Sequence, residues 1–136
     1  MLLRPEDARA ALPHVDPGRI YNGRAVGLRD QALLVLVAAG LTSGEIVALR
    51  ATSITMAAGR VVVSIRRRGA PWSRVLTTDL GAPLLAWLTE VRRWGEPGLV
   101  FEGEQGPLSA SAVRKVLDKH KRALRRRAGT PAALKQ

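Results

Sequence analysis

A chain of 136 residues, 46% of them apolar, is one domain's worth and carries enough apolar side chain to bury a core. It has no cysteine, which excludes disulfides, thiolate metal sites and a cysteine nucleophile; its longest apolar run, residues 32–41, is about half of the roughly 20 residues a bilayer span needs. Twenty-two Lys and Arg face 11 Asp and Glu, and the formal charge of +11 points to a polyanionic partner, nucleic acid first, with a merely solvated basic surface as the alternative.

The opening residues show no signal-peptide pattern, so the expectation is a cytoplasmic protein, nucleoid-associated if bound to DNA, with no membrane partner and no cofactor. Residues 2–12 read as a short helix with Pro5 in its first turn and Glu6 and Asp7 toward the positive end of its dipole. Pro13, Pro17, Gly18, Asn22 and Gly23 then make a loop. That loop holds His14 and the single tyrosine, Tyr21, which has no neighbouring base in sequence and is read as packing or anchoring the loop. In residues 29–50 the apolar positions Leu33, Leu34, Leu36, Val37 and Leu41 spill beyond one stripe, which predicts a central helix covered on several sides. Gly40 is suited to end it and Thr42 or Ser43 to cap a second helix, so two helices meet at a tight corner.

Residues 53–57, 60–66 and 74–78 are rich in β-branched side chains and predict three antiparallel strands, with a turn at Ala58-Gly59 and residues 67–73 as the tip of the second hairpin. Arg60, Arg66, Arg67, Arg68 and Arg74 surround Trp72 there, which suits a finger laid on DNA; the alternative is a hairpin whose charges discourage edge pairing. Residues 79–94 form an amphipathic helix with Leu84, Trp87, Leu88, Val91 and Trp94 toward the core, followed by a turn-rich connector. The last helix, about residues 109–128, opens on a cap at Ser109 or Ser111 and buries Val113, Val116, Leu117, His120 and Leu124. Its other faces carry Arg114, Lys115, Lys119, Lys121, Arg122, Arg125, Arg126 and Arg127 against Asp118 alone, an arrangement suited to neutralising phosphates. His120 has no second ligand at metal spacing in the sequence and is read as a satisfied boundary histidine, so no metal site is expected.

Arg29, Asp30, Ala32, Leu33 and Leu34, then Gly40-Leu41, Glu45-Ile46 and Leu49-Arg50, resemble the central motif of the tyrosine recombinase (phage integrase) catalytic domain. Val100-Phe101 followed by Gly106, Pro107, Leu108 and Ser109, and Thr130, Pro131 and Leu134 near the C-terminus, are similar to further segments of that family. The resemblance implies an α+β, mainly helical domain with a small three-stranded antiparallel sheet, spanning residues 1–136 as one truncated catalytic domain. It also implies that Thr42 stands where the family has its first catalytic arginine, Arg68 where it has a lysine, Ala132 where it has a histidine and Lys135 where it has a second arginine. The family's tyrosine would fall after Gln136. Arginine is a poor proton donor, so Arg68 would not replace a general-acid lysine. The expectation is a chain that is not an enzyme but binds duplex DNA phosphates. Its candidate contacts are Arg50, Arg66, Arg67, Arg68, Trp72, Arg74, Arg114, Lys115, Lys119, Lys121, Arg122, Arg125 and Arg126. The alternatives are an interaction module that docks on an active recombinase or self-associates, and a fragment of an active site-specific recombinase.

Overall fold

The structure is a computed structural model and describes residues 3–92, 97–103 and 106–134. Five helices surround one apolar core, and a three-stranded antiparallel sheet lies against one side: α1 Pro5–Ala11, α2 Val26–Ala38, α3 Ser43–Ala48, β1 Ile54–Ala57, β2 Arg60–Arg67, β3 Ala70–Val75, α4 Thr78–Glu90 and α5 Ala110–Leu134. The expected α+β, mainly helical architecture is the one found. A two-residue ladder, β4 Glu102–Gly103 with β5 Gly106–Pro107, forms within the connector before α5.

α2 is the centre. Every residue from 32 to 37 is buried, because α1, α3, α4 and α5 all pack on it, and this explains why its apolar residues follow no single stripe. At its end Gly40 takes φ +101, the N–H of Leu41 donates to the Leu36 carbonyl and that of Gly40 to the Val37 carbonyl. These paired bonds satisfy the last carbonyls and turn the chain sharply. Thr42 then caps α3: its Oγ1 accepts from the N–H of Glu45, and the Glu45 carboxylate accepts from the N–H of Thr42, closing a capping box.

Both hairpins turn through two residues with positive φ, Ala58-Gly59 and Arg68-Gly69, the backbone that matches the twist of the flanking strands. The first turn is where the sequence placed it. The second is shorter than the expected tip: β2 runs through Arg67 and β3 begins at Ala70, so Trp72 and Arg74 sit in the ladder, opposite Ile65 and Val63. β3 correspondingly ends at Val75 instead of residue 78. Gly81 lets α4 approach β2, since a Cβ there would lie 3.0 Å from a Val61 methyl. On α4, Leu84, Trp87 and Leu88 are buried as their spacing predicts, and Trp87 stacks on Phe101 with its indole N–H donating to the Val100 carbonyl. Trp94 lies outside the described residues. α5 is capped by Ser109, whose Oγ accepts from the N–H of Ala112, and continues past residue 128 to Leu134.

Candidate nucleic-acid interface

The hairpin arginines divide into three environments. Arg66 and Arg68 are exposed at the turn, and Arg66 donates across it to the Gly69 carbonyl. Arg67 points the other way, onto the corner between α2 and α3. Its Nε and one terminal nitrogen grip the Glu45 carboxylate at 2.9 and 2.7 Å, the same nitrogen donates to the Gly40 carbonyl at 3.0 Å, and the guanidinium lies 4.5 Å above the Trp72 ring. Such a bidentate, stacked arginine is committed to the fold. Arg74 is exposed and reaches the Ala39 carbonyl only at 3.4 Å, near the C-terminal end of α2 where a cation is favoured by the dipole.

Two expectations for the hairpin therefore change. Trp72, read from the sequence as exposed among arginines, is half-buried between Arg67 and the core, because it shares the inner face of the sheet with Val63 and Ile65. Arg67, a candidate DNA contact, gains a role the sequence did not show: it holds the hairpin to α3 through Glu45, a partner distant in sequence. The hydrogen bonds from Arg67, which outweigh the opposing effect of partial burial, together with the Thr42 backbone, hold the Glu45 carboxyl down at about 2. Arg50 is exposed and donates to the Pro97 carbonyl, where its backbone bridges Leu99 and helps return the 97–101 segment to the core.

On α5 the charges also separate by face. Arg114, Lys115, Arg122, Arg125, Arg126 and Arg127 are exposed, and of these only Arg122 has an ion pair among the described residues, with Asp118 at 3.2 Å. Lys119 and Lys121 lie on the flanks and are half-buried. Lys119 turns inward to Asp30, an acid the sequence reading gave no role beyond the motif. Asp30 is 1% exposed. One of its oxygens accepts from Arg29 at 3.0 and 2.8 Å, and the other faces Lys119 Nζ at 3.2 Å and His120 Nε2 at 2.9 Å. Burial pushes this carboxyl up, but the hydrogen bonds from His120 and Arg29 and the charges of Arg29 and Lys119 together outweigh it and hold the group at about 2. His120 is thus a satisfied boundary histidine, as its position on the apolar side predicts.

α3 packs on α5 and is tied by Glu45 to the hairpin, so the two basic elements flank one helix. Thr42 and Arg68, the positions that the family resemblance makes catalytic, serve here as the helix cap and as a turn residue with φ +53. Ala132 falls in the last part of α5, and Lys135 lies outside the described residues. Tyr21 is 64% exposed; its backbone, not its ring, anchors the loop through paired bonds with Arg24. Among the described residues no cluster of three metal-ligating side chains occurs, and no helix is long and apolar enough to cross a membrane.

No protein-family model matches the chain, and no curated protein sequence matches it. Among solved structures, the chain is similar to the XerH site-specific recombinase bound to its difH substrate in a pre-cleavage complex, with a TM-score of 0.70 and 20% identity. The similarity covers 90% of this chain and 36% of that one, so the fold described above corresponds to about a third of the recombinase.

Proposed function

We propose that this chain binds duplex DNA through its phosphates and does not cut it. The observation that carries the reading is the exposed ridge of α5, where Arg114, Lys115, Arg125 and Arg126 have no ion pair among the described residues and Arg122 shares Asp118. Clustered cations repel one another, and a polyanion relieves that repulsion while releasing its own counterions. Arg66, Arg68 and Arg74 on the hairpin extend the contact on the other side of α3, and Arg50 adds a further cation near the segment after it. Similarity of fold to part of a recombinase solved with DNA supports the choice of duplex over other polyanions.

The non-catalytic half of the proposal rests on chemistry at the matched positions. Stabilising charge on a scissile phosphate needs preorganised donors, and losing one costs roughly 2.7–4 kcal/mol in known enzymes. Thr42 spends its hydroxyl on the cap of α3, Arg68 is a poor acid, and Ala132 has no imidazole. A labelled random duplex followed by fluorescence anisotropy tests the binding. If about six phosphates are neutralised, affinity falls on the order of 1,000-fold between 50 and 200 mM salt, and reversing Arg114, Lys115, Arg125 and Arg126 to Glu abolishes it. Affinity that is flat with salt overturns the reading, and a covalent adduct on a suicide substrate overturns its non-catalytic half.

A second reading, docking on an intact recombinase or on another copy, is favoured by one feature. Ile20 and Tyr21 are 69% and 64% exposed, beside a tight turn at Asn22-Gly23. Co-elution with a recombinase that survives nuclease treatment and is lost in a Tyr21→Ser variant supports it.

A further inference from the structure

The chain has two histidines, far apart in sequence, and both line one small cavity between the turn after α1 and the outer half of α5. Its walls are Ala11, His14, His120, Ala123, Leu124 and Arg127, and its volume of about 40 Å³ suits one small ion or a few waters, not an organic ligand. The chemistry of the walls says which ion. Behind His120 stands Asp30, which also takes Arg29 from its own helix and Lys119 from α5. Arg127 adds a permanent cation to the cavity wall itself, and a neighbouring cavity that shares Leu124 is lined by Arg4, Glu6, Asp7, Lys121 and Arg125. The side chains of His14 and Arg127 have no hydrogen bond or ion pair among the described residues, and His120 uses only its Nε2.

We propose that this cavity is an oxyanion site that takes a single phosphate, held by Arg127, His14 and His120. The surplus of positive charge disfavours a metal cation, although two imidazoles are present. Because Asp30 is ionised and accepts from Nε2–H of His120, the Nδ1 of that ring can donate to an anion only after taking up a proton from solvent. Arg127 was not among the DNA contacts proposed above, and the site stands or falls separately from them.

With only two histidines in the chain, the ring-proton NMR signals report the site directly. Titrating the full chain with inorganic phosphate at one fixed pH, against chloride at matched ionic strength, is expected to shift both signals saturably. Arg127→Gln and His14→Gln, both at exposed positions, are expected to remove the response. Shifts that do not saturate, that chloride reproduces, or that survive Arg127→Gln overturn the proposal, as does a stronger response to zinc chloride than to phosphate. A duplex that displaces phosphate, with weaker duplex binding in Arg127→Gln, identifies the DNA backbone as the source of the anion. Phosphate binding that persists beside bound duplex identifies free phosphate. A protein that fails to bind duplex but responds to phosphate keeps this site and loses only the DNA reading.

Discussion

Removing the carboxylate of Asp30 would leave Arg29, Lys119 and His120 converging on an uncompensated spot beneath α5. Breaking a buried pair costs 3–5 kcal/mol when both partners are desolvated; here the two permanent cations keep some access to water. Asp30→Ala is therefore expected to lower unfolding free energy by about 3 kcal/mol, measured by urea denaturation at pH 7. The same residue and Glu45 set the acid limit of the fold. Both carboxyls are held at about 2, below ordinary values of 3.8 and 4.5. A depressed carboxyl pKa contributes stability that is fully present above its unfolded value and is lost as pH falls toward the folded one. The melting temperature should thus decline between about pH 4.5 and pH 2, and Asp30→Asn and Glu45→Gln should each flatten part of that decline while lowering the neutral-pH value. Neither role was legible in the sequence. Asp30 lies between Arg29 and Gln31 and finds Lys119 and His120 on the last helix, and Glu45 finds Arg67 on the hairpin, so local spacing carries no trace of these distant contacts.

At the scale of elements, the sequence specified more. Periodicity placed α2 and the inner face of α4, and Gly40 followed by a hydroxyl residue located the corner, because helix ends are decided by backbone groups that local residues must satisfy. The length of the second hairpin turn was not legible, since residues 67–73 permit a long tip or a ladder that runs on to Arg67 and Ala70, and packing of Trp72 on the core selects the latter. One close approach lies outside any pattern. A Cβ at Gly27 would meet the Asp16 carbonyl oxygen at 2.0 Å, and the Gly27 N–H donates to the Arg19 carbonyl, so the 16–19 loop rests directly on the first turn of α2. Gly27→Ala must push that loop away despite the better helix propensity of alanine, and a net loss of about 1–3 kcal/mol is expected in thermal unfolding. Gly44→Ala, where a Cβ meets nothing within 4 Å, is the control and should be neutral or stabilising.

For the whole molecule, the basic surface and the apolar centre are separable designs. The charge of +11, on which the proposed polyanionic partner rests, was legible from composition. Which cations are free to act on it was not, because Arg67 and Lys119 are withdrawn into the fold by acids remote in sequence. The apolar centre has a kinetic consequence. Since α2 touches α1, α3, α4 and α5, no single neighbour can detach and bare its amides to solvent while the remainder stays native. Amide hydrogens of residues 33–37 should exchange only through global unfolding, and their protection should equal the free energy measured by denaturant. The hairpin beyond Arg67 has no such enclosure and should exchange through shallow local openings. The molecule would then open at its periphery on a timescale independent of its centre, keeping the basic finger adaptable on a scaffold that unfolds only all at once.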